Sequence, residues 1–291
     1  MSFSGVYVPV ITPFDEAGHV DVKQLSHVIE VLLTNGVDGV VAVGTTGEAY
    51  ALTFDERHHV ISAVVKQVAG RVPVLAGVGG MSTHEAIDQA GLAKRLGCDG
   101  LMLAAPAYVL PTPHELAVHV QKVVKSVGMA TVLYDYPART GVPFGVDTLD
   151  ELVDNDLIQG IKEASGDLSR IETLGGRYGD KLQLICGADA DSNVFMDSGA
   201  TCWIGGMANA LPKAHAGIMN AETRTEAHAA VLPLLEYIES GRYIAKTKAL
   251  MSILGLDVTD VRGPLLPATE EEFAALRGLV EQAGDWAPRL V

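Results

Sequence analysis

Cysteine is scarce in this chain. The three present, Cys98, Cys186 and Cys202, are odd in number, far apart and form no CxxC pair, which argues against a disulfide framework or a zinc site. Each sits in or beside an apolar run, where a cysteine behaves as a small buried hydrophobe. Basic residues are also few: 21 Lys and Arg face 36 Asp and Glu, a formal net charge of −15. Nucleic-acid binding needs clustered Lys and Arg against phosphate, so that partner class is set aside. A small anionic substrate stays open, because one pocket can be positive on an acidic surface. No apolar run reaches the roughly 18 residues of a membrane span. The opening MSFSGVYVPVITPF lacks the basic start and long apolar stretch of a secretory leader. A cytoplasmic setting is expected, with neither membrane nor nucleic acid as a partner.

Other signatures are missing too. There is no GxGxxG after the first apolar run, GVGG (Gly77–Gly80) is not followed by GK[ST], and His114 and His119 have the wrong spacing for HExxH. The pair His58–His59 reads as a solvated helical face. No resident metal or cofactor is expected.

What is present is a regular alternation. The 291 residues are 48% hydrophobic, enough for a sizeable core. Short apolar runs read as strands near Val6–Ile11, Gly39–Val43, Val74–Gly77, Gly100–Leu103, Thr131–Tyr134, Leu157–Lys162, Leu182–Cys186 and Thr201–Ile204. They are continuously apolar instead of alternating, as parallel strands buried on both faces are. Amphipathic stretches such as Asp21–Thr34, Thr53–Ala69, Ser82–Arg95 and Thr112–Ser126 separate them, and Thr53/Glu56, Ser82/Glu85 and Thr112/Glu115 have capping-box spacing. Eight strands and most of the intervening helices point to a closed (β/α)8, or TIM, barrel over a doubly wound open sheet. After about residue 222 only helices follow (Glu222–Ser240, Arg242–Leu254, Glu270–Ala283). The expected division is a barrel over 1–222 carrying the active site and a C-terminal helical appendage over 223–291.

In such a barrel the chemistry lies at the C-terminal strand ends. Lys162 is the one lysine that ends an apolar strand; the others, Lys246 and Lys248 included, lie in helical or turn settings. Burial disfavours the ammonium and yields the free amine that attacks a ketone. Tyr134 ends the preceding strand, where a phenol can shuttle protons. GTTGE (Gly44–Glu48) offers consecutive backbone N–H groups and two hydroxyls at a strand-to-helix turn, a site suited to a carboxylate. Each has a bland reading when taken singly: a strand-end lysine reaching solvent, a core tyrosine, a glycine turn.

Together, GTTGE, YDYPARTG (Tyr134–Gly141), IKEASGD (Ile161–Asp167), the opening VPVITPFD and the late VRGPLLP resemble the dihydrodipicolinate synthase / N-acetylneuraminate lyase family of class I aldolases over essentially the whole chain. The resemblance implies a Schiff base between pyruvate, or a 2-keto acid that yields it, and Lys162. Tyr134 would transfer protons at that imine, with Thr45 linking it to Tyr108 from a neighbouring subunit. Thr46 and Gly47 would hold the keto-acid carboxylate, Arg139 a second carboxylate, and Ile204 would present its carbonyl. A homo-oligomer, a dimer of dimers, is implied as well.

Departures qualify the transfer. Ala107 precedes Tyr108 where the family pairs two tyrosines, Ala138 replaces a common serine, and ESGRYIAKTK lacks the Asn-Pro pair of the biosynthetic synthases. Asp189 in GADAD stands where sugar-acid lyases bind substrate hydroxyls, against the plainer reading of a solvated loop acid. These shift the expectation toward a catabolic lyase acting on a 2-keto-3-deoxy sugar acid or a related keto acid. The alternative is 4-hydroxy-tetrahydrodipicolinate synthase, joining pyruvate to aspartate semialdehyde. A metal-dependent aldolase and a non-catalytic pyruvate-binding relative are the readings from other classes.

Overall fold

The computed structural model describes residues 3–291. Within them eight parallel strands close on themselves: β1 Gly5–Pro9, β2 Gly39–Ala42, β3 Val74–Val78, β4 Gly100–Ala104, β5 Ala130–Asp135, β6 Ile158–Glu163, β7 Gln183–Cys186 and β8 Cys202–Ile204. The helices are α1 Val22–Thr34, α2 Phe54–Val68, α3 Thr83–Leu96, α4 Pro113–Val127, α5 Pro137–Thr140, α6 Val146–Asp150, α7 Ser169–Tyr178, α8 Ser192–Asp197, α9 Pro212–Met219, α10 Arg224–Glu239, α11 Tyr243–Ile253 and α12 Glu270–Ala283. The expected barrel is therefore present, and β8 pairs with β1 to leave no free edge.

Both strand faces are buried, which explains the unbroken apolar runs. Inside the barrel lie Tyr7, Val41, Leu75, Met102, Val132, Tyr134, Ile185 and Ile204, and a larger core fills the space between strands and helices. Each fully buried Val, Leu or Ile contributes about 1.5–3 kcal/mol. Helix starts are fixed by side chains: Thr53 and Thr112 form reciprocal capping boxes with Glu56 and Glu115. Ser82 departs from that pattern. It caps Glu85 N, but the Glu85 carboxylate turns away to accept from Met81 N and Gln89 Nε2.

Helices α10, α11 and α12 pack on one another, and the end of α10 and the start of α11 reach over the strand ends. Lys248 corrects the sequence reading. Expected in a polar or amphipathic helical setting, it is fully buried and pairs with Glu48 Oε1 at 2.6 Å. It also donates to the carbonyls of Thr12 and Asp260. Every residue from Ile244 to Met251 is buried, so α11 has no solvated face on which a lysine could be told from its neighbours. Lys246, also buried, donates to Tyr237 O and Ser240 Oγ.

Candidate active site

The strand ends build two adjoining cavities that share Thr45, Tyr134 and Arg139; the one that holds Lys162, of about 440 Å³, is lined among others by Thr45, Thr46, Tyr134, Arg139, Lys162, Asp189, Glu239 and Tyr243. Its centre follows from strand register. Tyr134 on β5 pairs with Lys162 on β6, so both side chains enter the barrel mouth from adjacent strands. The amine lies 4.2 Å from the Tyr134 ring centroid. One residue further on, Asp135 and Glu163 pair and point to the opposite face. There Arg170 binds both, through a contact to Asp135 Oδ2 and at 2.7 Å to Glu163 Oε2.

Lys162 is only 5% exposed. Burial lowers its pKa to about 8, against an opposing pull from Asp189. At neutral pH a chemically useful fraction is therefore the free amine, a nucleophile for a carbonyl carbon. Burial acts oppositely on the Tyr134 phenol, raising its pKa, so that it keeps its proton; the positive charge of Arg139 is the largest opposing influence. An amine that gives up its proton beside a phenol that retains one is the pairing that carbinolamine formation and dehydration require.

The GTTGE turn sits over β3. A Cβ on Gly77 would lie 2.4 Å from Val43 O and 2.8 Å from Gly44 Cα, so only glycine admits the turn at this height. Thr46 lines the cavity. Gly47 does not; its carbonyl accepts from Thr12 Oγ1 at 2.7 Å. Ile204 lies with the barrel-interior side chains, off the cavity wall. Arg139 lines the cavity, with its guanidinium 4.9 Å from the Tyr136 ring centroid. Tyr108 is 87% exposed and stands apart from the cavity in the single chain, at a left-handed φ of 73°.

Asp189 departs from its plainer reading as a solvated acid. It is 3% exposed; Oδ2 accepts from the Tyr243 hydroxyl, and its backbone N–H donates to Glu239 Oε1 at 2.8 Å. Burial first, and the neighbouring Asp189 second, push the Glu239 carboxyl up to about 7. Glu239 and Tyr243 were missed in the sequence. They come from the helical segment, and no local spacing ties ESGRY to a strand end some fifty residues earlier. Among the described residues no group of three or more His, Cys, Asp or Glu is placed to hold a metal ion, and no helix is long and apolar enough to cross a membrane.

Comparison with known proteins matches residues 2–283 to the Dihydrodipicolinate synthetase family. The 4-hydroxy-tetrahydrodipicolinate synthase of Pelobacter propionicus is 37% identical over 290 residues, covering 97% of this chain and 99% of that protein. The crystal structure of dihydrodipicolinate synthase from Aquifex aeolicus superposes with a TM-score of 0.93 at 31% identity, covering 99% of this chain and 100% of that one. The chloride-inhibited dihydrodipicolinate synthase of Acinetobacter baumannii complexed with pyruvate gives a TM-score of 0.93 at 32% identity, over 97% and 99% of the two chains.

Proposed function

The chain belongs to the dihydrodipicolinate synthetase family, and on that premise we propose that it condenses pyruvate with an aldehyde through an imine on Lys162, aspartate semialdehyde being the first aldehyde to try. It is an enzyme of the class I lyase/aldolase kind. The observation that carries the proposal is the Lys162–Tyr134 pair in the cavity at the strand ends. The free amine attacks the keto carbon, and loss of water gives a protonated imine. That imine draws electrons from the adjacent methyl carbon, which loses a proton and becomes the enamine nucleophile. Tyr134 gives and takes the protons, with Thr45 on its hydroxyl and Tyr108 of a second copy completing the relay. Thr46 holds the pyruvate carboxylate and Arg139 that of the aldehyde partner.

The named relatives support condensation with aspartate semialdehyde over the catabolic reading that the sequence departures favour. One observation keeps the second reading: the Asp189–Tyr243 pair and Glu239 line the wall where a hydroxylated keto acid would extend. Steady-state assays separate the two. Condensation at roughly 1–1000 per second establishes the synthase; cleavage or dehydration of a 2-keto-3-deoxy sugar acid at that rate, with negligible condensation, establishes the lyase. Borohydride reduction with pyruvate, read by intact mass and peptide mapping, tests the imine that both share. No adduct on Lys162 in folded protein sinks both.

A dimer-based homo-oligomer, a barrel over 1–222 with a helical appendage over 223–291, and a cytoplasmic setting complete the proposal. The exposed Tyr108 supports the first. Three free, buried cysteines are at home in a reducing compartment.

A further inference from the structure

Behind the cavity wall lies a group of buried polar atoms that the imine chemistry does not use. Trp203 Nε1, Asp189 Oδ1 and His215 Nε2 are buried and have no hydrogen-bond partner among the described residues. They converge on one backbone position: a Cβ on Gly205 would lie 2.7, 2.8 and 2.9 Å from Trp203 Nε1, Asp189 Oδ1 and His215 Nε2. The His215 ring stacks on Trp203, with centroids 3.9 Å apart, and is 1% exposed.

The proton on this imidazole can be placed. His215 Nδ1 lies 2.9 Å from the Leu211 carbonyl oxygen, and a carbonyl only accepts, so Nδ1 carries hydrogen. The other nitrogen faces Asp189 Oδ1 at 3.6 Å. The two atoms face each other just beyond hydrogen-bond distance. Trp203 Nε1–H lies beside the same glycine, Gly205, while Asp189 Oδ2 accepts from the Tyr243 hydroxyl. A Cβ on Gly206 would meet both that hydroxyl and Thr46 Oγ1, so the line of neighbouring groups runs from His215 to the GTTGE turn.

Resting on the imine reading above, we propose that His215 is a positioning residue for the reaction. With Trp203 it anchors the Asp189 carboxylate, and through it the Tyr243 phenol, on the wall of the cavity that holds Lys162. The charged and titratable groups around Asp189 are Lys162 on β6, Tyr134 on β5, Cys186 on β7, His215 on α9, Glu239 on α10 and Tyr243 on α11. After burial, which lowers its pKa, the strongest influence on Lys162 is the opposing one from Asp189. Releasing the carboxylate from its anchor therefore acts on the amine as well as on the wall.

The test uses pyruvate alone: borohydride trapping against pH, and solvent-deuterium exchange into the pyruvate methyl group at saturation. Trapping in the wild-type protein is measured first, since its absence would count against the imine reading and not against this inference. His215→Leu should slow saturated exchange about tenfold, with less than about a threefold change in KM, and should move the pH midpoint of trapping downward. His215→Gln returns an N–H to the place of Nε2 and should recover most of the rate. Trp203→Phe, which keeps a stacking ring but removes the donor, should slow exchange by about threefold or more. Wild-type exchange and midpoint in His215→Leu overturn the proposal. So does a slowing that Gln does not restore and that leaves the midpoint in place, which is the mark of packing alone. If His215→Leu does not fold, Trp203→Phe decides by the same two readouts: a slowed exchange with a lowered midpoint supports the proposal, and wild-type values of both overturn it.

Discussion

Lys162 stands beside Tyr134 with its amine 4.2 Å from the ring centroid, and burial drives their two pKa values apart, the ammonium downward and the phenol upward. The lysine is lowered to about 8; the phenol is raised and keeps its proton. Imine formation should accordingly rise about tenfold per pH unit below that value and level off above it. Stopped-flow measurement of borohydride-trappable adduct from pH 6 to 9 checks this. A flat profile would show that amine deprotonation does not limit the reaction.

The same burial has a cost in stability. The folded pKa of Lys162 lies below its ordinary value of 10.5, so the unfolded chain binds more protons through the window from about 8 to 10.5. Stability is lowered at pH 7, and this cost fades as pH rises through that window. Lys162→Met should therefore raise stability by about 1–3 kcal/mol at pH 7 while abolishing adduct formation. Calorimetry showing a lower Tm for the variant would contradict the assignment.

Glu48 and Lys248 form an ion pair in which neither side chain is exposed. Removing one partner leaves a buried charge, so Glu48→Gln or Lys248→Met alone should each cost about 3–5 kcal/mol. The double variant should cost clearly less than their sum. Denaturant unfolding of the four proteins measures the coupling. Additive losses would show that the pair is not a unit.

Arg170 restrains the outward carboxylates next to the reacting residues. Arg170→Met should destabilise by about 3–5 kcal/mol at pH 8. The loss should be smaller at pH 5, because burial raises Asp135 to about 6 and the acid takes up a proton below that. Equal losses at both pH values would mean that charge at Asp135 is not what the arginine satisfies.

Gly77 tests the turn above β3. Alanine there would press on Val43 O and Gly44 Cα, displacing the backbone that presents Thr45 and Thr46. Gly77→Ala should raise KM for pyruvate by about tenfold or more, measured in the exchange assay. An unchanged KM would separate the turn from pyruvate binding.

The barrel was legible because each of its strands is a short apolar run between turn signals, and Lys162 was legible because a lysine interrupts such a run at its end. Thr53/Glu56 and Thr112/Glu115 gave true capping boxes for the same reason: the chemistry is local. What failed to show was set by distance in the chain. Lys248 looks like any helical lysine until Glu48, two hundred residues earlier, is brought against it. Asp189 looks solvated until α11 delivers Tyr243. His215 carries no motif at all; only the stacking on Trp203 and the facing carboxylate single it out.

The cavity thus has two sources. Strands β2, β5 and β6 and the turns that follow them supply Thr45, Tyr134 and Lys162, whereas Glu239 and Tyr243 arrive from α10 and α11. An exchange of the residues between Glu239 and Tyr243 would reshape one wall of the cavity while Thr45, Tyr134 and Lys162 stayed in place. Such a layout makes the short crossing from α10 to α11 the place where the cavity's shape can be altered without touching a strand.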